Sequence, residues 1–186
     1  MRLSRRDYHQ LDKTGAFKGR RVQLIAGTVI TMSPMGTAHA TLITRLTGLL
    51  VPTLNPLGYD VRIQLPLAVS EDSEPEPDFA ILRQGSWGPD DHPATALLII
   101  EVADSSRRLD LGPKALIYAA ALVAEYWVLD PQQRMATIHT SPRRGRYAKI
   151  RHHRSEGGAL SSTSIPDLEV RLEKLWPSRR TSQKFT

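Results

Sequence analysis

Two carboxylates and a lysine define the chemistry this chain is equipped to do. Asp78 closes "EPEPD", residues 74–78, immediately ahead of the apolar run "FAIL". Pro75 and Pro77 exclude helix and hold the backbone extended, so Asp78 reaches the mouth of that strand with little freedom left to lose. Glu101 ends "LLII" and is followed by Val102 and Ala103. A carboxylate at the end of a buried strand costs free energy unless it is paired, hydrogen-bonded or bound to a cation. The ordinary reading of such a glutamate is an ion pair with Arg107 or Arg108, or a cap on the next turn. Beyond it, "DLGPKALIY" places Asp110, Lys114 and Tyr118 at i+4 spacings on one helix face. Two carboxylates from adjacent strands can hold Mg²⁺ or Mn²⁺ and leave positions for water and a phosphate oxygen. A nearby ammonium then neutralises charge developing on the phosphate or orients the attacking water. This is the equipment of metal-assisted phosphodiester hydrolysis.

The elements that must position these groups can be read from periodicity. A short helix is expected over 4–12, capped by Ser4. Strands are expected at 22–25 and 28–32, joined at Ala26-Gly27. An amphipathic helix begins near Thr37, with Leu42, Leu46, Leu49 and Leu50 at helical spacing and with Pro52 and Pro56 ending or kinking it. Alternation predicts a strand over 59–69. "DFAIL" is the next, and "ALLIIEVA", 96–103, reads as a strand covered on both faces. A helix follows over 111–123, with Asp110 as N-cap, Pro113 in its first turn, and Leu109, Leu116, Ala120 and Val123 packing on the sheet. The strand "EYWVLD", a hairpin through 135–152 and the apolar segment "LEVRLEKLW" complete the order. This succession predicts an α/β protein of the α+β type: a mixed central sheet flanked by helices.

The chain has 186 residues, 40% hydrophobic and 24% charged, with no cysteine. That is enough for one domain, taken as 1–176, followed by a flexible basic tail at 177–186. Disulfides and thiolate zinc sites are excluded. The N-terminus lacks the apolar core of a signal peptide and no run approaches a membrane span, which leads to a cytoplasmic expectation with no membrane partner. A net charge of +6 favours a polyanionic partner. Arg143, Arg144, Arg146 and Lys149 cluster at a Gly-containing turn in "SPRRGRYAKIRHHR" and are the candidate nucleic-acid contacts, set against the plain reading of a solvated hairpin tip. Of the five acids in 71–78, Glu71, Asp72, Glu74 and Glu76 read as an exposed loop.

Other groups carry less. His9, His92, His139, His152 and His153 have no metal-ligand spacing beyond the adjacent pair, and no Ser/His/Asp arrangement or phosphate-cradling glycine loop is signalled. Trp87, Trp127 and Trp176 read as core or edge packing.

The motifs "PD" at 77–78, "IIEVADSS" at 99–106, "DLGPKALIY" at 110–118 and "EYWVLDP" at 125–131 resemble those of the Uma2 (DUF820) family. That family is grouped with PD-(D/E)XK nuclease-like folds. "VQLIAGTVITMSP", followed by His39, is similar to its N-terminal signature, and the likeness covers roughly residues 3–176. The resemblance implies a restriction-endonuclease-like core and a divalent-metal-dependent nuclease. It makes Asp78 and Glu101 the Mg²⁺- or Mn²⁺-binding acids, and supplies the catalytic lysine from the next helix, as Lys114, where the wider superfamily's position holds Ala103. Tyr118, His39, Gln23 and Asp110 are the supporting residues. The implied partner is nucleic acid, DNA ahead of RNA, and the superfamily's dimerisation to cut two strands suggests a homodimer. The family's "ELIDG" reads "QLIAG" here, so Gln23 and Ala26 replace two acids. A catalytically impaired module that still binds nucleic acid is therefore the alternative.

Overall fold

The computed structural model describes residues 2–154 and 157–176. The basic tail expected at 177–186 lies outside the described residues. Among those described, no helix is long and apolar enough to cross a membrane.

The chain opens with α1 (Arg5–Lys13), where Ser4 and Asp7 form a reciprocal capping box. The hairpin β1 (Val22–Ile25) and β2 (Thr28–Thr31) follows, with Ala26 and Gly27 both at positive φ in its two-residue turn. Next comes α2 (Thr37–Leu54), which carries Pro52 in its last turn. The central sheet contains β3 (Tyr59–Ile63), β4 (Phe79–Arg83), β5 (Leu98–Val102), β6 (Glu125–Asp130), β7 (Met135–Arg143) and β8 (Arg146–His153), hydrogen-bonded in that order. Only β5 and β6 are parallel; the other neighbours are antiparallel. The mixed sheet flanked by helices is the predicted architecture.

Strand alternation divides the core in two. Phe79, Ile81, Leu98 and Ile100 face α2, where Leu42, Leu46, Leu50 and Leu54 cover them. Ala80, Leu82 and Ile99 face the other way, toward Tyr118 and Ala115. Period 2 therefore sets Asp78 with Ala80 and Glu101 with Ile99 on the second face. The parallel β5–β6 pair requires a crossover, and the chain between them lies over that face. It contains α3 (Arg107–Leu109), a π-helical turn (Asp110–Lys114) and α4 (Ala115–Ala120). A short pair, β9 (Ala159–Ser161) with β10 (Glu169–Arg171), and the turn α5 (Leu172–Leu175) close the chain against the α2 side.

Several local expectations are corrected. The strand predicted over 59–69 stops at Ile63 because Gln64 turns into the left-handed region at φ 51, ahead of Pro66. The helix predicted over 111–123 begins earlier, at Arg107, so Asp110 is an interior residue rather than its N-cap. Pro113 has no N–H to donate, and the wider π-type turn accommodates it without ending the rod. Of the face expected to pack on the sheet, Val123 is buried as expected, but within the helix the inward set is different. Leu116 is 46% exposed, whereas Asp110, Lys114, Ala115, Tyr118 and Ala119 are buried. Polar groups occupy the inward face because they solvate Glu101. Within the acidic stretch, Glu74 is buried rather than exposed, taken up by Arg5 at 2.8 Å and His9 at 3.0 Å.

Glu125, at the start of β6, is fully buried with no ion-pair partner among the described residues. It accepts hydrogen bonds from Trp127 Nε1, Ser162 Oγ and the backbone N–H groups of Thr163 and Ser164. This nest of donors ties the C-terminal segment to the sheet, and a carboxylate so satisfied has no capacity left for chemistry.

Candidate functional site

The Asp78 carboxylate is bonded on both oxygens. Oδ2 accepts the Val102 backbone N–H at 2.8 Å, which locks the mouth of β4 to the residue following Glu101. Oδ1 lies 3.0 Å from His39 Nε2 and 3.2 Å from Gln64 Nε2. Burial opposes its ionisation, but the hydrogen bond and charge of His39, the Val102 N–H and Gln64 together hold its pKa below the usual carboxylate value. His39 gains in return: burial lowers its pKa, and Asp78 more than compensates and raises it.

Glu101 has opposite electrostatics. Its Oε1 accepts from Lys114 Nζ at 2.8 Å and from the Tyr118 hydroxyl at 2.9 Å. Its Oε2 lies 3.4 Å from the Asp78 backbone N–H. Burial pushes its pKa up to about 8; Lys114 pulls it down, while Asp110 and Asp78 push it further up. Asp110 is raised by the same burial, with Lys114 again the opposing influence. Lys114 sits 3.5 Å from Asp110 Oδ1, and the two acids outweigh burial to raise the ammonium's pKa. The pair expected between Glu101 and Arg107 or Arg108 does not form: Glu101 pairs with Lys114, and Arg107 forms an ion pair with Asp130 at 3.2 Å.

Three carboxylates thus share one buried ammonium and one partly buried imidazole. Asp110 Oδ1 is buried without a hydrogen-bond partner, and burial leaves Glu101 reluctant to ionise. An acceptor oxygen left unbonded beside a second buried acid is the donor chemistry that a hard dication would take. Among the described residues no three His, Cys, Asp or Glu side chains form a ready-made metal cage. Two carboxylate donors suit Mg²⁺ or Mn²⁺, which keep waters in their shell, better than a metal needing a closed protein shell.

Asp78 and His39 open onto a cleft of 390 Å³ lined also by Arg20, Arg21, Met35 and Gln64. Gln64 is the site residue that sequence reasoning missed. A glutamine at a strand end carries no signal of its own, and only its left-handed backbone turns the amide toward Asp78. Gln23 does not touch the carboxylates; its Oε1 accepts the Glu76 backbone N–H at 3.3 Å, bracing the chain that leads to Asp78.

The basic hairpin is placed elsewhere. Glu101 is level with Val128 and, one strand on, with Thr137. From Thr137 the chain runs away from the site to Arg143, a distance of roughly 20 Å along the strand. Arg143, Arg144, Arg146 and Lys149 are all exposed at or near that far end.

The Uma2 family model, described as "Putative restriction endonuclease", matches residues 5–173. Among solved structures, the chain is similar to a "putative nuclease belonging to DUF820" from Anabaena variabilis, with a TM-score of 0.75 at 12% identity, covering 94% of this chain and 97% of that one. A second match is the type IIG restriction endonuclease BpuSI, at 18% identity and a TM-score of 0.36, covering 59% of this chain and 13% of that chain. No curated protein matches the chain.

Proposed function

The chain belongs to the Uma2 family, and from that premise we propose that it is a divalent-metal-dependent nuclease that hydrolyses phosphodiester bonds, with DNA as substrate ahead of RNA. The observation that carries this reading is the buried cluster in which Asp78 and Glu101 meet beside Lys114 with negative charge in excess.

In this reading Asp78 and Glu101 hold Mg²⁺ or Mn²⁺. The bound ion would polarise a phosphoryl oxygen and lower the pKa of a coordinated water. Every other role falls to the chain's own side chains. His39, Gln64 and the Val102 N–H fix the Asp78 carboxylate and keep it ionised. The Tyr118 hydroxyl orients Glu101. Asp110 and Glu101 keep Lys114 protonated, so an ammonium is available to stabilise negative charge on the reacting phosphate. Arg20 and Arg21 line the mouth of the cleft where a polyanion would enter. A cytoplasmic homodimer is the assembly we propose for cutting both strands.

The alternative, an impaired module that binds nucleic acid without cutting it, rests on Gln23 together with Ala26. The contact of Gln23 with the Glu76 backbone supports a bracing role, which a glutamate would fill in the same way.

The test is cleavage of supercoiled plasmid and single-stranded oligonucleotides with Mg²⁺ or Mn²⁺, with Asp78→Asn alongside. Metal-dependent cutting by the wild type alone is expected. Folded wild-type protein that cuts nothing with either metal would favour the binding module instead.

A further inference from the structure

A second cleft, of 570 Å³, runs beside β3 on the sheet face that carries Asp78. Arg62 lines it from β3, Arg5, His9 and Lys13 from α1, and the loop from Trp87 to His92 closes the other side. Arg62 is the unusual member, because it is only 8% exposed yet has no ion-pair partner among the described residues. Its guanidinium lies over the Trp87 ring, 4.6 Å from the centroid, and donates one hydrogen bond, to the Pro66 carbonyl at 3.1 Å. Its Nε is buried with no acceptor. Burial lowers the pKa of Arg62, with Asp60 the one carboxylate that pulls it back, yet a guanidinium does not give up its proton.

Two carboxylates line the cleft, and neither pairs with Arg62: Asp90 is exposed and forms no ion pair among the described residues. Asp91 is bound to Arg5 at 2.7 Å, and Arg5 also holds Glu74. Lys13 is exposed in the last turn of α1 and forms no ion pair among the described residues. A buried guanidinium lying over an indole, with one hydrogen bond made and its Nε lacking an acceptor among the described residues, is suited to a tetrahedral oxyanion.

The position of the cleft indicates which oxyanion. Gln64 lines the Asp78 cleft and its neighbour Leu65 lines this one, so the two meet at one peptide step. Arg62 is two residues from Gln64, roughly 7 Å along the chain. We propose that this cleft binds the phosphodiester backbone of the strand presented to Asp78 and Glu101, with Arg62 and Lys13 holding successive phosphates. The identity of the ligand rests on the nuclease reading; the anion site itself rests on Arg62. Trp87 positions Arg62 rather than serving as a platform for a base, since the guanidinium covers one face of the ring.

The test uses the full chain in EDTA with a labelled single-stranded oligonucleotide, comparing wild type with Arg62→Gln, Lys13→Glu and Trp87→Phe. Lys13 is exposed, so its substitution leaves folding intact even if Arg62→Gln does not. Each charge variant should weaken binding at least about ten-fold and flatten the dependence of affinity on salt. Indole emission should change on binding in the wild type and not in Trp87→Phe, because Trp127 and Trp176 are buried. Unchanged affinity and salt slope in both charge variants, or no binding by the wild type, would overturn the proposal. Metal-dependent cleavage is measured on the same preparations. Cutting that survives with unchanged binding removes this cleft and leaves the nuclease reading. Loss of binding in the variants, with no cutting by the wild type, keeps the cleft and removes the nuclease.

Discussion

Lys114 Nζ stands 2.8 Å from Glu101 Oε1, although a bend, a π-helical turn and thirteen positions of sequence separate the two residues. The contact makes a buried glutamate tolerable and places an ammonium beside the two acids that would hold a metal. Removing Lys114 leaves two buried acids without their ammonium, which costs several kcal/mol, roughly 3–5.

Asp78→Asn and Glu101→Gln should each lower metal-dependent cleavage by about 10²-fold or more, on the scale of losing an electrostatic catalytic group. Both variants should remain folded, because amides can keep the hydrogen bonds from Val102 N–H or Tyr118. Circular dichroism with single-turnover cleavage checks both halves. Full activity in a purified variant would remove that residue from the site.

The pH dependence follows from Glu101. Its folded pKa, about 8, lies above its ordinary value of 4.5, so the folded state holds a proton that the unfolded chain has released between those limits. The stability linked to this group is therefore complete below about pH 4.5 and is lost as pH rises through about 8. Urea unfolding in EDTA at pH 6 and pH 8.5 should show this decline, and Glu101→Gln should reduce it. Added Mg²⁺ should raise Tm more at pH 8.5 than at pH 6, because cation and proton compete for the same carboxylate.

The basic hairpin should matter to substrate length rather than to chemistry. Replacing Arg143, Arg144 and Arg146 with alanine should weaken binding of long duplexes and reduce its salt dependence. Cleavage of an oligonucleotide too short to span the roughly 20 Å from the Glu101 level to the tip should be unaffected. Equal losses on short and long substrates would show that the tip acts at the site itself.

Ala26 occupies the left-handed region, φ 47, at the first turn position between β1 and β2. A Cβ there costs roughly 1–2 kcal/mol, whereas Asn followed by Gly suits this turn. Ala26→Asn should therefore raise Tm by a few degrees with cleavage unchanged, measured by thermal unfolding. Unchanged cleavage in this variant would confine the effect of Ala26 to the turn.

Glu125→Gln should do the reverse of the catalytic substitutions. It removes the charge from a carboxylate held by donors from Trp127 and 162–164, at a cost of about 2 kcal/mol. Chemical denaturation should register that loss, while activity per folded molecule should not change.

The sequence by itself determined the elements and the chemical types. The apolar runs "FAIL" and "LLII" marked the strands, and the period-2 geometry of those strands puts Asp78 and Glu101 on one face of the sheet. The Ser4 cap and the i+4 series Asp110, Lys114 and Tyr118 were equally legible, because each depends only on neighbours within a turn or two. Tertiary structure alone decided which helix face turned inward. Hydropathy favoured Leu116, but the buried Glu101 needed donors, and the energetic cost of leaving it without them outweighed the burial of one leucine. The same kind of long-range pairing brought Gln64 and His39 onto Asp78, buried Glu74 under Arg5, and set the arginine-rich tip at the far end of the sheet from Glu101. None of these contacts is local in sequence, so no periodicity records them.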